Sequence, residues 1–179
     1  MKKEHPEYQG KIYFSKADIS SFSLKERNFD VATAFFVLQF LHSKVDVARA
    51  IENVSRSLIS GGIFYGLIPN GVKGVSPPPD MGVKLGAQIL KKPGSLFLDG
   101  EIVEINFYAD GVVCGSSKIA LHSREFYENC FKNSQFSTVE WITPHFTDHA
   151  KQALGDDFCN QCLNPPCDIM FKCTKSSFI

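Results

Sequence analysis

The sequence lacks a net charge, nineteen Lys and Arg balancing nineteen Asp and Glu in 179 residues. No overall field therefore draws the chain to nucleic acid or to an anionic membrane surface. It lacks any apolar run approaching the ~18 residues of a membrane span. Its start, MKKEHPEYQGK, has two lysines with no apolar stretch behind them, so a secretory signal is not expected. Internal repeats and low-complexity tracts are also missing. Without a signal segment, Cys114, Cys130, Cys159, Cys162, Cys167 and Cys173 read as reduced thiols of a cytoplasmic chain, not as a disulfide framework.

What is present suits one soluble domain. Apolar residues make up 44% and charged residues 21%, with sixteen Phe among the former, and the length permits a real core but not two comfortable domains. The segment GKIYFSKAD predicts a short strand at Ile12 to Phe14 that breaks into a turn at Asp18. The run FDVATAFFVLQFL opens as a buried parallel strand ending near Ala34. From Val45 to Leu58, apolar Val47, Ala50, Ile51, Val54 and Leu58 recur at helical spacing, and Gly61-Gly62 is expected to stop that helix. IFYGLIP then reads as a central strand, completing a βαβ unit. The stretch GVKGVSPPP predicts a surface loop, and Asp110-Gly111 between two strand-like runs predicts a hairpin. Ser123 caps a further helix, and strands are expected at Thr138 to Ile142 and over CDIMFKCT.

The ordered series YFSKAD, FDVATAFFVLQFL and SLISGGIFYGLIPN, followed by HSREFYENCFKNSQFSTVEWITP and DIMFKCTK, resembles class I S-adenosylmethionine-dependent methyltransferases of the small-molecule type. The resemblance implies an α/β, Rossmann-like fold with a mostly parallel sheet and an antiparallel last strand. It makes residues 1–179 a single partial methyltransferase domain with a lid or hairpin insertion at 71–121. In the family a Gly-rich loop after the first strand holds the cofactor's methionine, and an acidic residue after the second holds its ribose. Neither has a counterpart here, so a fold lacking the first two strands is expected. The chain alone is expected to bind S-adenosylmethionine only in the millimolar range or beyond, because several bonds of about 1–3 kcal/mol each are lost.

By the same resemblance, Asp18 would accept the adenine amine and Ile19 would flank the ring; an Asx-turn at a strand end is the plainer reading of Asp18. Ala34 and Phe35 end the strand whose mouth binds ligands in such sheets, and Gln39 faces that mouth, while Phe36, Leu38 and Phe40 read as core. Asn70 follows the next strand and is a candidate substrate contact or a turn residue. His42, His122 and His145 are candidate general bases without an evident carboxylate partner, so no catalytic residue is assigned. Cys159-x-x-Cys162 with Cys167 and Cys173 has one pair at zinc-ligand spacing, but Cys173 alternates with Ile169 and Phe171 as a core residue, and no metal site is expected. The function implied is methyl transfer from S-adenosylmethionine to a small-molecule acceptor. The alternative is a non-catalytic methyltransferase-like fragment that binds another protein.

Overall fold

The computed structural model describes residues 14–22, 29–91 and 96–177. Ile12 and Tyr13, the heart of the first expected strand, lie outside the described residues, and Phe14 is exposed and in no strand. Among the described residues no helix is long and apolar enough to cross a membrane.

Strand β1 (Phe29–Phe35) is followed by a short 3-10 turn (Leu38–Phe40) and helix α1 (Lys44–Ser57). The Ser43 hydroxyl accepts from the Val45 amide and Asp46 lies in the first turn, so the helix start is capped and its dipole met. Val47, Ala50, Ile51 and Val54 form the buried face. The helix stops earlier than the glycine pair. Ser57 donates to the Val54 carbonyl at 2.7 Å, and the chain passes at once into β2 (Leu58–Pro69). Gly61 and Gly62 lie inside β2, where pairing with β1 jumps from Phe29↔Leu58 to Val31↔Ile63. Gly61, at φ 75°, supplies the irregularity that takes up the extra residues.

The chain then forms α2 (Met81–Leu85), β3 (Ala87–Ile89), β4 (Glu101–Ala109), β5 (Val112–Leu121), α3 (Arg124–Asn133), β6 (Phe136–Ile142), α4 (Asp148–Leu154), α5 (Asp156–Leu163) and β7 (Asp168–Lys175). The main sheet has the order β1-β2-β7-β6. Its first pairing is parallel and its other two are antiparallel. The sheet is thus mixed: the last strand runs antiparallel to both its neighbours, as expected, while β6 runs the same way as β1 and β2. One reversed strand, β7, sits between two others and turns two ladders antiparallel.

The core of this sheet is aromatic. Phe171 of β7 lies 5.0 Å from Phe64 and 4.8 Å from Phe131, ring centre to ring centre. Gly66 makes room for it: a Cβ there would come within 2.1 Å of the Phe171 ring. Any side chain at this point of β2 would expel the ring.

The second sheet, β3-β4-β5, is antiparallel. Asp110 and Gly111 both take positive φ, 50° and 77°, the two-residue turn whose twist matches a hairpin. The inner face carries its own apolar cluster of Val75, Phe97, Val103, Ile105, Ile119 and Leu121. Contacts from the 3-10 turn and α1 dock it on the main layer: the His42 ring bonds the Lys118 carbonyl at 3.0 Å, and Lys44 pairs with Asp99. Helices α2, α4 and α5 and strand β3 were not expected from the sequence.

Candidate functional site

The parallel strands β1 and β2 both end at one edge of the main sheet, and there the chain leaves each strand sharply. After β1, Phe36 takes φ 52°, uncommon for a bulky side chain. Its amide still donates to Leu67 at 2.9 Å. The turn that follows drives Leu38 into the core but leaves Phe36 and Phe40 half exposed. These two rings therefore do not serve as core. They form part of the wall of a cavity of about 430 Å³ between the two sheets, within the ~300–1,000 Å³ of small-molecule clefts.

The opposite wall comes from the second sheet, through Ala87, Ile89, Ile105, Phe107 and Ile119. Pro69, Met81, Leu85 and Cys167 close the sides. Two polar side chains reach this apolar space, Gln39 and Asp168. Gln39 is buried, and its Oε1 has no hydrogen-bond partner. Asp168 begins β7 opposite Pro69. Burial raises its carboxyl to about 6, since the low dielectric disfavours the ionised form. Asp168, Cys167, Met81 and Leu85 also line a smaller cavity of about 90 Å³ that reaches Pro144, His145 and Phe146.

Of the cofactor and substrate candidates read from the sequence, Gln39 alone lines the large cavity, beside Phe36, Phe40 and Cys167, which read as core or as a thiol outside any site. Ala34 is buried at the end of β1 and Phe35 is exposed beside it. Asp18 forms the local turn: its Oδ1 accepts from the Ser20 amide and hydroxyl, both at 2.8 Å. These bonds hold its carboxyl below the usual range. Ile19 packs on the main core, and its carbonyl accepts from Asn53 at 3.1 Å.

Asn70 is buried outside the cavity wall with both amide ends in use. Its Nδ2 donates to the Pro166 carbonyl at 2.7 Å, and its Oδ1 accepts from Arg124 Nε and Nη2 at 2.8 and 2.6 Å. The side chain ties β2 to α3 and to the segment just before β7, which gives it a structural role there.

His122 is buried against Phe126 and Tyr127 with neither ring nitrogen partnered. Burial lowers its pKa. His42 and His145 are exposed. All six cysteines are free, and Cys159 and Cys162 are buried on α5 with Phe158. Burial pushes the Cys162 thiol up to about 12, which disfavours the thiolate a metal needs. Among the described residues no group of three or more His, Cys, Asp or Glu could hold a metal ion.

A βαβ unit with a ligand-sized cavity over the ends of its strands, and a reversed strand beside them, is a Rossmann-like α/β arrangement. Residues 1–66 match the family model described as methyltransferase domain. Among solved structures, the fold is similar to an S-adenosylmethionine-dependent methyltransferase from Clostridium acetobutylicum (TM-score 0.59, 14% identity, 98% of this chain and 70% of that one). It is also similar to one from Mesorhizobium loti (TM-score 0.57, 16% identity, 90% and 68%). A third likeness is the sugar N-methyltransferase KedS8 from a Streptoalloteichus species (TM-score 0.54, 15% identity, 90% and 61%). No curated protein matches the sequence. The likeness is thus to a methyltransferase domain over residues 1–66 and, across most of the chain, to the fold of S-adenosylmethionine-dependent methyltransferases.

Proposed function

We propose that this chain supplies the adenine and acceptor sides of a site for methyl transfer from S-adenosylmethionine to a small, apolar molecule. The observation that carries the reading is the cavity at the carboxyl ends of β1 and β2, the edge at which open α/β sheets bind ligands. Two points of the chain support the cofactor reading. Asp18 keeps Oδ2 free of hydrogen bonds among the described residues, an acceptor for the adenine amine, and Ile19 offers an apolar flank. At the other end, the carbonyl edge of Ala34 and Phe35 would face the methionine, with Gln39 next to it in the cavity wall. Bound there, the cofactor supplies an electrophilic methyl group. The chain's own task is to hold the acceptor in line and dry.

The apolar wall favours an acceptor with few polar groups, because each buried hydroxyl left without a partner costs about 1–3 kcal/mol. A small-molecule acceptor also accords with the sugar substrate named for the Streptoalloteichus enzyme. The test uses methyl-labelled S-adenosylmethionine at millimolar concentration with a panel of small aromatic acceptors. Label on an acceptor, matched by S-adenosylhomocysteine, is the expected result. If no label moves, and NMR finds no contact between millimolar S-adenosylhomocysteine and the protein, the reading is wrong.

The outer edge of β1 favours a second reading. It is unpaired among the described residues, and Phe29, Val31 and Phe35 are exposed on that strand. In this reading the edge pairs with another protein and no methyl group moves.

A further inference from the structure

We infer that the acceptor is an apolar amine, and that Asp168 both recognises its ammonium group and takes its proton. The inference rests on the methyltransferase reading and names the substrate class of that same cavity.

The wall contains no Lys, Arg or His among its described residues, so the Asp168 carboxylate meets no cation there. Its oxygens make no hydrogen bond or ion pair among the described residues, and burial is the one influence on its ionisation. The other groups around it do not compensate. The Cys162 and Cys167 thiols are protonated, and burial raises both. Exposed His145 lines the smaller cavity with Asp168 but forms no ion pair with it. Lys84, on the neighbouring α2, is committed to Asp80 at 3.0 Å and to the Leu154 carbonyl at 3.3 Å. An unpaired carboxylate facing apolar space is a costly arrangement that a ligand cation relieves. Gln39 offers a second polar group on the same wall.

The remaining surface is aliphatic and aromatic, including Phe36, Phe40 and Phe107, whose faces favour an ammonium with an apolar body. A carboxylate or phosphate would be repelled by Asp168. A polyol would leave hydroxyls unpaired.

The chemistry balances without a further reactant. The ammonium, R–NH3⁺, gives one proton to the Asp168 carboxylate, which becomes the neutral acid. Burial lowers the amine's basicity as it raises the acid's pKa, bringing the two together. The freed nitrogen lone pair attacks the sulfonium methyl. A C–N bond forms while the S–CH3 bond breaks, its electron pair staying on sulfur to give the thioether. The product is the methylated ammonium, and the acid returns its proton to water.

Binding of three probes of one shape, benzylamine, benzyl alcohol and benzoate, to the full chain without cofactor tests the recognition step. Benzylamine should bind at least about tenfold more tightly than benzyl alcohol, the margin expected of a hydrogen bond to a charged group, and benzoate most weakly. Asp168→Asn should bring amine and alcohol level, and Asp168→Glu should keep part of the preference. Ala87→Phe, which fills the cavity, should weaken both while leaving Asp168 untouched. A preference for the amine that survives in Asp168→Asn, or a preference for benzoate, overturns the inference. If amine binding depends on Asp168 but no methyl group is transferred, the methyltransferase reading fails and recognition stands. If methyl transfer occurs to alcohols with amines inert, the inference fails and the reading stands.

Discussion

Replacing Asp168 by Asn should stabilise the protein at neutral pH and leave it unchanged in acid. The carboxyl is raised from 3.8 to about 6 by burial, so the folded chain holds this proton to a higher pH than the unfolded chain. Between about pH 4 and about pH 6 the native state binds more protons, and stability falls as pH rises through that window. Above it the full penalty applies. Two units at 1.36 kcal/mol each give about 3 kcal/mol as an upper figure. The half-buried position keeps some contact with water, which brings the expected gain to about 1–3 kcal/mol. For a chain of this length each kcal/mol moves the melting point by about 2–4 °C. Thermal unfolding followed by circular dichroism at about pH 4 and about pH 8 measures this directly. Asp168→Asn should melt several degrees above the native protein at the higher pH and together with it at the lower. A difference of equal size at both pH values, or a native protein that outlasts the variant only at high pH, would refute the argument that the charge is strained.

Three further outcomes follow from the packing. Gly66→Ala should cost about 1–3 kcal/mol in urea unfolding because its methyl meets the Phe171 ring, and shortening Phe171 to Leu in the same chain should cost less than the two changes summed. Ser123→Ala removes the hydroxyl that accepts from the Phe126 amide at 3.2 Å, and should lower stability by about 1 kcal/mol. Ellman's reagent near neutral pH should label Cys114 in the folded protein and the five buried thiols only on unfolding. Burial pushes Cys130 to about 11 and Cys173 to about 12.

The βαβ unit was legible because its signals are local: the Val47, Ala50, Ile51 and Val54 stripe marks one helix face, and FDVATAF and IFYGLIP are strand-length apolar runs. The hairpin was legible because Asp110-Gly111 suits the positive φ that the turn demands. The glycine pair misled because a buried Leu58 and the Ser57 hydroxyl end the helix first. Helix α5 did leave a mark. Phe158, Cys159, Cys162 and Leu163 stand at helical spacing behind Asp156 and Asp157, so the Cys-x-x-Cys pair shares one apolar face. Gln39, read from its place just after the β1 mouth, lines the cavity. Phe36 and Phe40 were missed because the left-handed backbone at Phe36, which turns the rings to the cavity, leaves no trace in composition.

Asp168 could not be read locally, since its environment comes from Pro69, Met81 and Ile105, far away in the chain. The reversed strand explains how it arrives. In a wholly parallel sheet the first residue of a strand lies at the edge opposite the carboxyl ends of its neighbours, and an acidic residue there would face away from the ligand mouth. Because β7 runs antiparallel to β2, its first residue pairs with the last residue of β2. The mixed sheet thus places one carboxylate from late in the chain beside the mouth formed by its early part. A fold selected for stability alone would put an apolar residue at that position. An acid opposite Pro69, half buried in a wall otherwise built of rings and branched side chains, is the pattern expected when a ligand supplies the missing partner.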